Sequence, residues 1–226
     1  MPLIAIANIK GGQGSSTWSA ILKRHLNGLG LLFDLDPNQG HAHAWATAAG
    51  VQSKILRPKD LDEDLEAAAN DNLWWHIADC PSRKGKETRA ALALASIIIV
   101  PIVPGDAQDL EEWARMSALL DEAWRSNPDM EAIVLLNSVR PSALAPELLE
   151  TLKAWHSPED GRSFIGSVPM NTGVPESIAK GKTLKDRSIR QALVEVDRVV
   201  RLASRVTMAK SFIRSHVRPK VGVAYA

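Results

Sequence analysis

Short apolar runs alternate with stretches of helical spacing along most of this chain. Residues 3–9, 31–36, 73–79, 97–103 and 133–137 read as strands; glycine-rich sequence follows the first, and a polar or turn residue ends or follows each of the others, Asp36, Asp79, Pro104 and Asn137. Between them, residues 16–26, 61–69, 87–95, 107–124 and 145–155 carry apolar positions at helical spacing. Strands that alternate with helices predict a parallel sheet covered on both faces. The unbroken Ile97-Ile98-Ile99-Val100 run fits a strand buried on both sides. The expected architecture is therefore α/β, a doubly wound, mainly parallel sheet with its ligand site at the carboxyl ends of the strands. With 226 residues and no repeat or low-complexity linker, the chain reads as one domain over 1–226.

Overall charge is nearly balanced at +1, but its distribution is not. Residues 181–226 hold eleven Lys or Arg against three Asp or Glu, a net +8, which leaves −7 for residues 1–180. Within this segment Val199, Leu202, Ala203, Val206 and Ile213 fall near helical spacing, with Arg198, Arg201, Arg205, Lys210 and Arg214 mostly off that stripe. The pattern predicts a basic amphipathic helix over about 187–215. Three readings stay open for it: a helix packed on the sheet with a solvated basic face, a non-specific DNA-binding face, or a membrane-surface helix. The apolar side is mainly Val and Ala with Phe212 as its aromatic residue, which disfavours lipid. A single cysteine, Cys80, excludes a disulfide framework or a cysteine cage, and the absence of a basic leader or a spanning apolar run makes a cytoplasmic location the expectation.

Candidate chemistry lies between the first strand and first helix. Lys10-Gly11-Gly12-Gln13-Gly14-Ser15-Ser16-Thr17 occupies the position of a phosphate-binding loop, where glycines admit phosphate oxygens to the backbone and the helix N-terminus supplies N–H donors. Ser15 stands where such loops usually carry the lysine that reaches the β and γ phosphates. The seven tryptophans are scattered through the predicted elements and read as core or interface residues. His41 and His43 form a close pair with too few accompanying donors for a metal site.

The loop resembles the deviant Walker A motif of the ParA and MinD branch of P-loop ATPases. Lys10 matches the branch's signature lysine, Gly11, Gly12 and Gly14 its glycines, and Ser16 its magnesium-ligating hydroxyl; Ser15 departs from it. Asp34-Leu35-Asp36-Pro37-Asn38-Gln39-Gly40 is similar to the branch's Asp-x-Asp-Pro segment, Ile77-Ala78-Asp79-Cys80-Pro81 to its Walker B strand, and the match extends over roughly residues 2–190. The resemblance implies ATP held by Lys10 to Thr17, with Asn137 at the base, and Mg2+ at Ser16, Asp36 and Asp79. Lys10 and Asp36 are its expected catalytic residues, Lys10 reaching a partner's phosphates in a homodimer and Asp36 positioning the attacking water. It further implies a switch in DNA segregation or positioning that binds DNA non-specifically through Arg198, Arg201, Arg205, Lys210 and Arg214 and is reset by a ParB-like DNA-bound adaptor. An inactive regulatory or DNA-binding relative, and a conjugation accessory protein of the same branch, are the alternatives. Losing a charged phosphate contact weakens binding about tenfold to a hundredfold, so Ser15 leaves open whether ATP is turned over or only bound.

Overall fold

The computed structural model describes residues 3–26, 30–71, 73–105, 108–137, 146–165 and 189–201, together with Ser177, Lys180 and Arg187. Among the described residues, seven strands, β1 (Leu3–Ile6), β2 (Leu32–Asp34), β3 (Ser53–Ile55), β4 (His76–Asp79), β5 (Ile97–Ile102), β6 (Glu131–Leu136) and β7 (Arg162–Ile165), form one sheet. Its order is β3-β2-β4-β1-β5-β6-β7, and every pairing is parallel. The chain moves outward from β1 to β2 and β3, returns to β4, and then crosses to β5, β6 and β7 on the other side. This reversal beside β1 creates the crevice in which open α/β sheets bind their ligands.

Among the described residues, six α-helices connect these strands: α1 (Ser15–Leu26), α2 (His41–Ala48), α3 (Leu61–Asn70), α4 (Lys86–Leu94), α5 (Asp109–Ser126) and α6 (Pro146–Trp155). Alternate residues of each interior strand enter opposite cores. Leu3, Ala5, Phe33, Ala78, Ile98 and Val100 meet α3, α4, α5 and α6 on one face. Ile4, Ile6, Ile77, Ile97, Ile99 and Ile133 meet α1 on the other, joined by Ile189, Ala192, Leu193, Val196 and Val200 of the helical residues 189–201. Both faces are thus covered, as the continuous apolarity of the runs requires.

The sequence reading locates β1, β2, β4, β5 and β6, with the first four read too wide and β6 begun two residues late, and misses β3, β7 and α2. Residues 73–75 are not strand. The Asp71 carboxylate accepts the backbone N–H groups of Leu73 and Trp74, forming a turn that leaves Leu73 70% exposed, and β4 begins at His76. Trp18 and Trp113 are buried as expected, whereas Trp74 is exposed. Arg205, Lys210 and Arg214 lie outside the described residues.

Candidate nucleotide site

Parallel register aligns the acidic strand ends. Asp34 closes β2 and Asp79 closes β4, and the two are register partners on adjacent strands. Ile6, the last residue of β1, is the other neighbour of Asp79. The glycine loop begins just beyond β1 and is anchored at several points. Asn8, buried, donates through Nδ2 to the Pro101 carbonyl (2.6 Å) and accepts the Lys10 N–H (3.0 Å). Gln13, also buried, turns its side chain away from the loop, where Oε1 accepts the Val103 N–H at 2.6 Å. Asn137 Nδ2 donates to the Gln13 carbonyl at 3.0 Å.

Gly12 and Gly14 have φ of 77° and 88°, the left-handed region that disfavours side chains. At Gly14 a Cβ would lie 2.5 Å from Asn137 Nδ2, so this glycine is required by both conformation and space.

Beneath the loop, α1 binds Asp79 through two hydroxyls. Ser16 Oγ donates to Oδ2 at 2.7 Å and Ser19 Oγ to Oδ1 at 2.8 Å. Burial nevertheless pushes the Asp79 carboxyl up to about 7; the two hydroxyl donors oppose that rise, and the nearby Asp34 and Asp36 charges add to it. Asp34, 1% exposed, accepts the Asp36 and His43 N–H groups at 3.0 Å each and so ties the loop after β2 to the first turn of α2. Asp36 accepts the Asn38 N–H and faces Arg83 Nη1 at 3.9 Å.

Residues Gly12 to Thr17, the three aspartates and the segment Cys80 to Ser82 line one cavity of about 240 Å³, completed by Gln39, His41 and Trp45. The expected loop and metal residues therefore converge. Lys10 does not line it: its ammonium lies 3.3 Å from Asp109 Oδ1 and 2.8 Å from Glu112 Oε2, both on α5. Asn137 lies behind the loop, holding Gln13. On the C-terminal helix, Arg198 and Arg201 are exposed, and each faces a carboxylate of its own helix, Glu195 at 3.9 Å and Asp197 at 2.7 Å.

Sequence reasoning missed Asn8, Ser19 and Asp34 as residues that build the site. It also set aside the His41 and His43 pair, which the structure separates: His41 faces the cavity, and His43 Nδ1 is 2.9 Å from the Ser53 hydroxyl. Among the described residues no group of three or more His, Cys, Asp or Glu is arranged to hold a metal ion by itself. A hydroxyl beside carboxylates still fits Mg2+, which takes hard oxygen ligands and commonly completes its shell with substrate phosphates and water. No helix among the described residues is long and apolar enough to cross a membrane.

Maintenance of carboxysome distribution protein A of Halothiobacillus neapolitanus is 27% identical over 211 residues, covering 85% of this chain and 95% of that protein. The fold is shared with a putative plasmid partition protein from Borrelia burgdorferi B31 bound to AMPPNP, with a TM-score of 0.66, 17% identity and coverage of 86% and 97% of the two chains. It is also shared with the septum site-determining protein MinD of Pyrococcus horikoshii in complex with Mg-ADP, with a TM-score of 0.64, 17% identity and coverage of 89% and 98%. Residues 4–184 match the model of the CobQ/CobB/MinD/ParA nucleotide binding domain, and the chain belongs to that family.

Proposed function

We propose that this protein is an ATP-dependent dimeric switch that positions a cargo, DNA or a larger assembly, along DNA. The observation that carries this reading is the Ser16–Asp79 hydrogen bond at the floor of a glycine-loop cavity. It pairs the hydroxyl and the carboxylate that a magnesium nucleotide needs, directly below backbone donors suited to phosphate.

In this reading the backbone from Gly11 to Thr17 cradles the phosphates, and Ser16, Asp79 and Asp36 face the metal. Mg2+, when bound there, neutralises charge on the β and γ phosphates. Asp36 orients the water that attacks the γ phosphorus, giving ADP and phosphate. Lys10 leaves Asp109 and Glu112 to reach the phosphates of a second subunit, which couples nucleotide to dimer. Asn137 contributes to the base side by fixing the loop at Gln13. The closed dimer binds DNA through the basic segment that includes Arg198, Arg201, Arg205, Lys210 and Arg214, and a DNA-bound adaptor of the ParB kind resets it. The relative named for carboxysome distribution and the putative partition protein support a cargo-positioning role, with conjugative DNA transfer as a related setting.

A second reading, a regulatory relative without turnover, is favoured by Ser15 at the position of the loop lysine. Calorimetry of Mg-ATP binding to the wild type and Lys10→Ala, followed by phosphate release from the wild type and Ser15→Lys, tests both. The switch reading expects binding and slow turnover in the wild type. Binding with turnover only in Ser15→Lys supports the regulatory reading, and no binding at millimolar ATP overturns the nucleotide assignment.

A further inference from the structure

We propose that His41 is the phosphate-contacting donor that takes over from the lysine missing at position 15; the inference rests on the nucleotide reading of the same cavity. Among the described residues, the side chains lining that cavity include three carboxylates, Asp34, Asp36 and Asp79, and no lysine or arginine. A triphosphate entering it meets acid, hydroxyls and backbone N–H groups, and among the described residues His41 is the one basic side chain in the lining. An imidazole donates an N–H to a phosphate oxygen in either protonation state and adds positive charge when protonated.

His41 is also held in place. Gly40, at φ 60°, turns the chain from the Asp36 loop into α2, with its own N–H donating to the Asp36 carbonyl at 2.9 Å. His41 is thus the first residue of α2, and the same turn ties it to Asp36. One helical turn further, Trp45 stacks on the imidazole, with centroids 6.1 Å apart and planes 15° from parallel. Trp45 in turn packs against the cluster that contains Trp18 and Ile21 of α1. The ring is therefore supported from an element that contacts the glycine-loop helix.

Among the described residues, the other nearby cations have other positions. Lys10 is bound by Asp109 and Glu112. Arg83 faces Asp36 at 3.9 Å and Glu87 at 3.8 Å, outside the lining. Lys23 is buried in α1.

The test is a double-mutant cycle on Mg-ATP affinity, with magnesium tripolyphosphate as a probe that lacks the base. His41→Phe keeps a ring for Trp45 and removes the donor; His41→Lys supplies a cation. His41 is exposed, and thermal unfolding verifies that both variants fold. His41→Phe is expected to weaken both probes about tenfold, His41→Lys to bind at least as tightly as wild type, and Ser15→Lys to reduce the effect of His41→Phe to less than about twofold. An unchanged affinity in His41→Phe, or an equal loss with and without Ser15→Lys, overturns the proposal. So does a loss in Arg83→Gln that Ser15→Lys relieves while His41→Phe shows none. Failure of the wild type to bind either probe overturns the nucleotide reading and this proposal together, whereas wild-type binding that is indifferent to His41 overturns this proposal alone.

Discussion

The Ser16 hydroxyl, in the first turn of α1, donates a 2.7 Å hydrogen bond to the carboxylate of Asp79, 63 positions away in sequence at the end of β4. This contact joins the glycine loop to the interior strand β4, with Ser19 holding the second oxygen of the same carboxylate. An acid so enclosed carries a cost that depends on pH. The unfolded chain releases the Asp79 proton near 3.8, whereas the folded chain holds it until about 7. The stability contributed by the retained proton is present below about pH 4, declines as pH rises, and is lost above about 7. Without nucleotide or metal, thermal unfolding should show this decline in the wild type, on the order of a few kcal/mol. Asp79→Asn should lack that part of the slope and be the more stable protein at pH 8.

Gly14 gives a prediction that needs no ligand. Gly14→Ala places a Cβ at φ +88° and 2.5 Å from Asn137 Nδ2. Urea denaturation should show a loss of about 1–3 kcal/mol. Adding Asn137→Ala should recover the part due to crowding and leave the part due to backbone conformation.

Lys10 is paired with Asp109 and Glu112 on its own chain. If nucleotide-dependent dimerisation draws on this lysine, Glu112→Gln weakens its intramolecular hold, and the dimer should form at lower protein concentration in Mg-ATP. Lys10→Ala should remain monomeric. Glu112→Gln should unfold within about 1 kcal/mol of wild type, since its pair with Lys10 is partly exposed, whereas Lys10→Ala takes a cationic partner from the buried Asp109 carboxylate and should be destabilised more. Light scattering after gel filtration, with and without nucleotide, measures the first effect, and denaturant titration the second.

On the C-terminal helix, Arg198 and Arg201 share their surface with Glu195 and Asp197. Binding to duplex DNA of arbitrary sequence should weaken in Arg198→Ala/Arg201→Ala. The slope of log affinity against log salt should become shallower by about 1.8 if both contact phosphate. Glu195→Gln/Asp197→Asn should strengthen binding by removing like charge from the DNA. Unchanged salt dependence in both pairs would assign this face to solvent.

The fold was largely legible because interior strands of a parallel sheet are apolar on both faces, and the runs at 97–103 and 133–137 needed no alternation to be recognised. The missed elements lack that signal. Ser53–Ile55 is a three-residue edge strand with no fully buried residue. His41–Ala48 alternates His, Ala, His, Ala, a period of two that conceals a helical stripe. In the site, Ser16 and Asp79 were readable through the resemblance of their segments to the Walker A and Walker B motifs. Ser19, Asn8 and Asp34 were not, because their roles lie in contacts made across the fold: Asn8 meets Pro101 over 93 positions, and Asp34 is defined by the backbone N–H groups it receives. The placement of Lys10 on α5 likewise has no local signature, since its partners lie about a hundred residues away.

The strand order has a consequence for how the protein opens. β1, β2 and β4, which carry the glycine loop and the acidic ends, each have neighbours on both sides, whereas β3 and β7 are the edges. Partial opening begins where backbone hydrogen bonds are least enclosed. The rims can therefore fray while the inner strands remain paired. In native-state hydrogen exchange the amides of Ile77 to Asp79 should exchange only through global unfolding, well after those of Ser53–Ile55. The site's frame is thus among the last parts of the molecule to loosen, and heat or denaturant should dismantle it in the same cooperative event that dismantles the sheet.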